Sequence, residues 1–298
     1  MDLGLVVLGG VFGLSAATAV IVAHRALTPY RHTVAGLDGS PRDARTALHA
    51  SALRSAFALV VAVAVAAGIG AVATAAAWEL VVALLVVPLT AVSAGLAAYA
   101  VIPGRPAPVR PEATALLTPR RVGDHAPGAL LVLCGVLAVL LLALLAAAAA
   151  QHSAFVTSQL WGLGVAGLAD AGLTAASWCA LRRVAGQPAL PADMLNVDRA
   201  IRGSASRLIL LLTSAALFTS TATALIALGY ASTSWASVGS AEGTRDVFLS
   251  NLGTGLTVAG VIAVVGALGT LIASVTATIS LTRASTTLRA SQPTSVPA

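Results

Sequence analysis

Within GVAGLADAGL, residues 164–173, an aspartate lies near the middle of an apolar run long enough to cross a membrane. A carboxylate at the centre of the hydrocarbon layer costs about 2.5–3.5 kcal/mol on the insertion scale, so Asp170 must face protein, face water or hold a proton. At that depth it is expected to be largely protonated. Two roles follow. The protonated acid can hydrogen-bond to a neighbouring span and hold a bundle together, or it can bind a cation or relay a proton along a polar cavity. Hydroxyl partners are plentiful further along the chain: Thr213, Ser214, Thr219, Ser220, Thr221 and Thr223 in one apolar run, then Thr257, Thr270, Ser274, Thr276 and Thr278 in the next. No arginine or histidine shares that depth. The candidate intramembrane polar site is therefore Asp170 with Thr219, Thr223 and Thr257.

Other chemistries lack their residues. The sequence contains no HExxH, no GxSxG elbow and no phosphate-cradling GxxxxGK[ST]. LDGSPRDAR, residues 37–45, resembles the Asp-Gly-Ala-Arg signature of membrane CDP-alcohol phosphotransferases only in part, because the spacing is too long and the later aspartates are missing. His24, His32, His49 and His125 fall in polar loops without the helical spacing that would converge them on a metal. Cys134 and Cys179 read as packing residues on the reducing side of the membrane. No catalytic residue, cofactor or metal is expected.

The elements that must position Asp170 follow from composition. Of 298 residues 58% are apolar and 9% charged, and the mean hydropathy is +0.92, values no soluble domain of this length tolerates on its surface. Backbone polar groups in lipid must be bonded internally, and about 20 apolar residues cross the core as a helix. Seven runs meet that length, at roughly 3–24, 54–76, 79–102, 129–150, 160–181, 208–229 and 256–281. The expected fold is an all-α integral membrane protein, a seven-transmembrane-helix bundle forming one polytopic domain over 1–281, with a disordered cytoplasmic tail at 282–298. The first run carries no positive charge ahead of it and is expected to stay attached as a span.

All 17 basic residues are arginine, a usage that points to a GC-rich, actinobacterium-like genome. Every arginine except Arg245 falls in the loops 25–53, 103–128 and 182–207, at the adjoining helix ends, or in the tail. By the positive-inside bias these are cytoplasmic, which places the N-terminus outside and the C-terminus inside a bacterial cytoplasmic membrane. Trp78, Trp161 and Tyr230 near one boundary, with Tyr99 and Trp178 near the other, fit interfacial belts. The net positive charge is thus explained by topology, and nucleic acid is not expected as a partner.

The chain also resembles itself. GVFGLSAA, residues 10–17, recurs as GVAGLADA, residues 164–171, and ALHASALR, residues 47–54, recurs as AIRGSASR, residues 200–207. Spans 1–2 and 5–6 therefore read as a parallel internal helical-hairpin repeat. Gly9, Gly13, Gly164 and Gly167 are the candidate helix-packing glycines. Ser40 and Pro41 can start a helix well before the second span, and the matching stretch after Pro191 can do the same. Such protruding helices would present Arg42, Arg45, Arg54, Arg199, Arg202 and Arg207 to lipid headgroups or a cytoplasmic protein. Pro88 should kink the third span. LTPRRVGD, residues 117–124, ahead of an apolar run resembles integral membrane proteins of actinobacteria, a likeness that implies no activity. The bilayer is the expected environment. Two functions fit: a non-enzymatic permease or transporter component with a polar path in spans 5–7, or a membrane-anchored interaction or regulatory subunit docking a cytoplasmic partner through its basic loops.

Overall fold

Apolar runs broken by short polar connections leave the backbone one economical solution, and the computed structural model adopts it. Residues 42–75, 79–102, 122–150, 157–187, 195–238 and 247–290 are described; the predicted first span at 3–24, with Gly9 and Gly13, lies outside them. The helices are α1 (Arg42–Ala75), α2 (Leu80–Val101), α3 (Gly128–Ala150), α4 (Thr157–Ala185), α5 (Leu195–Val238) and α6 (Val247–Ala290), with a single 3-10 turn at Val122–Asp124. Among the described residues there is no strand. All six helices are long and apolar enough to cross a membrane, and the chain is a multi-pass membrane protein. Its lipid-facing surface is studded with large apolar side chains such as Val60, Val139, Leu168 and Val265, which water would not tolerate.

Several helices overrun the apolar windows that mark them in the sequence. Arg42 already belongs to α1, although the side chains of Arg42 and Arg45 lie outside the described residues. The helix α5 contains 44 residues, about 66 Å at the α-helical rise, against a hydrocarbon core of about 30 Å. The helix α6 continues to Ala290, so 282–290, expected within a disordered tail, are helical. Hydropathy marks where a chain enters lipid. A helix continues past that point as long as each carbonyl finds an amide.

One helix organises the rest. Helix α5 packs against α1, α2, α3, α4 and α6, and around it α3 touches α4, α4 touches α2, α2 touches α1, and α1 touches α6. In consequence 83% of the most apolar window of α5 is buried, against 11% for that of α1. Without a hydrophobic force between helices in lipid, close approach and hydrogen bonds must hold such a hub. The most extensive contact, α5 with α6, is made by glycine. A Cβ at Gly229 would stand 2.6 Å from the Gly253 carbonyl oxygen, and one at Gly253 would stand 2.6 Å from the Gly229 oxygen. Further along the same seam Gly260 admits Ile226, and Gly266 rests on Phe218. The glycines expected to pack, Gly164 and Gly167, make no close approach among the described residues: a Cβ at either would meet none of them within 4 Å. They lie away from the buried stripe Gly162, Ala166, Leu173 and Ala180, and it is Gly162 that takes the close contact, with Val82 of α2.

Candidate functional site

Asp170 falls on that buried stripe and is 1% exposed. Residues seven apart share a helix face, so Asp170 points the same way as Ser177, two turns nearer the arginine-rich end. Ser177 Oγ meets Thr213 Oγ1 of α5 at 2.8 Å. Ser177 Oγ also lies 2.7 Å from the Leu173 carbonyl, and Thr213 Oγ1 lies 2.8 Å from that of Ile209. Two hydroxyl protons serve three contacts, so one hydroxyl gives up its own carbonyl to donate across the interface. This pairing sets the register of the antiparallel helices. It brings Asp170 level with Ser220, two turns beyond Thr213.

Ser220 is fully buried and donates to the Leu85 carbonyl of α2 at 2.9 Å. That carbonyl is next to the one that Pro88 deprives of its amide partner; hydroxyls of neighbouring helices commonly re-satisfy the backbone around an intramembrane proline. Asp170 therefore stands at a junction of α2, α4 and α5. Its Oδ1 is buried and makes no hydrogen bond; Thr221 Oγ1, beside Ser220, and Ser93 Oγ of α2 are in the same condition. The bond from Asp170 to the sixth or seventh span, expected if the acid only joins helices, is not made at this oxygen.

The other expected members of the polar site are placed apart. Thr219, Thr223 and Thr257 each donate to a carbonyl of their own helix, those of Ala215, Thr219 and Gly253, all at 2.9 Å. Thr257 is spent on the glycine seam, where its hydroxyl would lie 2.5 Å from a Cβ at Gly229. Helices α4 and α6 occupy different flanks of α5 and share no extensive contact. Asp170 and Thr257 are consequently not brought together. Thr219 lines a small cavity of about 290 Å³ between α2, α5 and α6, with Pro88 on its wall.

Thr223 lines a larger one. A cavity of about 610 Å³ opens at the end opposite the arginines, between α2, α3, α4 and α5. Its lining runs from Glu79 and Tyr230 to Leu85, Leu144, Leu163 and Thr223. Leu163 precedes Asp170 by seven positions, so the acid lies two turns further along the same face of α4.

At the arginine-rich end the basic residues divide. Arg202 is 1% exposed. Its Nε donates to Asp198 Oδ2 at 2.8 Å, Nη1 donates to the Val184 and Ala185 carbonyls at 2.9 and 3.0 Å, and Nη2 donates to the Gln187 carbonyl at 2.8 Å. One guanidinium thus closes the C-terminus of α4, where the Val184 carbonyl also accepts from the Gln187 amide at 3.4 Å. Arg54 is also turned inward, 5% exposed, with its guanidinium 5.5 Å from the Tyr99 ring centroid. Tyr99, expected in an interfacial belt, is buried beneath it. Arg207 is half-buried and Arg199 exposed. Arg54 and Arg202 are therefore unavailable to a docking partner in this conformation.

The reasoning from sequence overlooked the Asp198–Arg202 clamp, the Ser177–Thr213 pair and the Ser220–Leu85 bond. An acid and an arginine four positions apart at the start of a long helix was the available signal for the first; nothing in the sequence flagged the other two as bonded partners. Among the described residues no group of histidine, cysteine and carboxylate side chains is placed to hold a metal. No protein-family model matches the sequence, and comparisons with curated proteins and with solved structures find no match.

Proposed function

We propose that this multi-pass membrane protein is a component of a permease of the bacterial cytoplasmic membrane, in which Asp170 carries the proton or cation coupled to solute movement. One observation carries the reading: a carboxyl group buried midway along an apolar span has an oxygen without a partner, two turns along α4 from Leu163 in the lining of an apolar cavity. An acid retained only to join helices would be expected to have its oxygens bonded, since leaving a buried polar group unsatisfied costs about 1–3 kcal/mol. A group that must take up and release a proton or cation needs an oxygen left available. The apolar walls of the cavity suit a small apolar or amphiphilic solute better than a sugar or an inorganic ion.

The test is reconstitution into vesicles carrying an internal pH dye, with a potassium-diffusion potential as the driving force. Wild type is expected to move protons, and Asp170→Asn to fall to the rate of empty vesicles. Asparagine keeps the shape at a site with an unbonded oxygen, so stability should change by less than about 1 kcal/mol. Full activity in Asp170→Asn would remove the acid from the mechanism. A docking role would rest instead on Arg199, which is exposed, with Arg42 and Arg45, whose side chains lie outside the described residues.

A further inference from the structure

At the arginine-rich end, on the outer side of α4, lies a second large cavity that the permease reading does not use. It measures about 640 Å³ and is lined by Val122 and Gly123 of the 3-10 turn, Leu131 of α3, and Trp178, Arg182, Ala185 and Gly186 at the end of α4. We infer that this cavity is a binding site for the headgroup of an anionic phospholipid of the adjoining leaflet.

Three features combine. The Arg182 guanidinium lies 5.2 Å from the Trp178 ring centroid, a stack that holds the cation in place while leaving the edge of the guanidinium fork open to phosphate oxygens. Arg182 is exposed, and among the described residues its guanidinium makes no hydrogen bond or ion pair, its carbonyl alone accepting from the Gly186 amide; Arg183 beside it is exposed as well. Leu131 and Trp178 supply an apolar wall where glycerol and the first acyl carbons would lie, and Trp178 is 47% exposed, as an interfacial tryptophan should be.

The end of a helix ordinarily repels anions, because its free carbonyls are the negative pole of the dipole. Here Arg202 donates to the carbonyls of Val184, Ala185 and Gln187 and blunts that pole. Arg182 and Arg183 are then left with positive charge to spare. Asp124, in the same 3-10 turn as Val122 and Gly123, brings one negative charge against two guanidinium groups.

The experiment uses the full chain with Trp78, Trp161 and Trp235 replaced by phenylalanine, so that Trp178 alone reports. The protein is reconstituted in phosphatidylcholine vesicles doped with brominated phosphatidylglycerol or brominated phosphatidylcholine. Brominated phosphatidylglycerol is expected to associate with Trp178 about fivefold more strongly than the zwitterionic lipid, the effect of one arginine at an anionic surface. Arg182→Gln should bring the ratio close to one, and Arg182→Lys should retain part of it. Equal quenching in the parent chain, or an unchanged ratio in Arg182→Gln, overturns the site. Loss of the preference on adding inorganic phosphate would identify a soluble anion as the occupant and equally overturn the lipid assignment. If the tryptophan replacements impair folding, native mass spectrometry of the otherwise unmodified chain decides the matter: phosphatidylglycerol retained by wild type and lost from Arg182→Gln is the supporting result.

Discussion

Replacing Arg202 with alanine is expected to destabilise the protein by about 3–5 kcal/mol, the range for removing one partner of a buried ion pair. The loss falls on two groups at once. Asp198, itself buried, loses the guanidinium that bonds both of its oxygens, and the carbonyls of Val184, Ala185 and Gln187 lose the same donor. Lysine does not rescue the site, because a single ammonium cannot reach Asp198 and three carbonyls together. Denaturation in mixed micelles followed by circular dichroism measures the change. The double variant Arg202→Ala with Asp198→Ala should recover part of the loss, since it removes the buried charge that the guanidinium offset. A loss below about 1 kcal/mol for Arg202→Ala would mean an exposed, solvent-screened pair instead of a clamp.

Gly253→Val is the second substitution with a large expected effect. Its Cβ would fall 2.6 Å from the Gly229 carbonyl oxygen and 2.9 Å from the Thr233 amide nitrogen. Both are backbone atoms of α5 and cannot rotate away. The two helices must move apart, which opens the most extensive contact in the bundle and detaches the Gly260 and Gly266 contacts along the seam. A loss of about 3 kcal/mol or more is expected, at the upper end of overpacking costs. Gly164→Val and Gly167→Val provide the contrast: with no described residue within 4 Å of a Cβ at either, they should stay within about 0.5 kcal/mol of wild type. If the order were reversed, the close seam would lie on α4 and not between α5 and α6.

The contrast shows which features a membrane sequence discloses. The positions of the second to seventh spans were legible, because length and hydropathy alone define a crossing helix. The oddity of Asp170 was legible too, since a carboxyl group in lipid demands a reason wherever it points. The arrangement around it was not. Hydropathy says how well a segment suits lipid and is silent on which neighbours it has: the most apolar span, α3, is 22% buried, while the less apolar α5 is 83% buried. Lipid is as apolar as leucine, so the periphery carries the aliphatic residues and the interior collects Ser, Thr, Ala and Gly. The hydroxyl-rich sixth span did point inward on that logic. Its pairing with α2 and α4 through Ser220 and Ser177 depends on helix rotation, which composition leaves open. Arg202 misled for a related reason: as one of many arginines on the basic side it read as surface charge, and only Asp198 one turn earlier marked it for burial.

The position of α5 in the chain order sets the timing of assembly. Helices α1 to α4 leave the ribosome before residue 195 and can make only the contacts they have with one another. The ties to Leu85, Ser177 and the end of α4 come into being only when residues 195–238 enter the bilayer. A nascent chain halted earlier would therefore leave to the lipid the faces of α1 to α4 that α5 covers in the finished bundle.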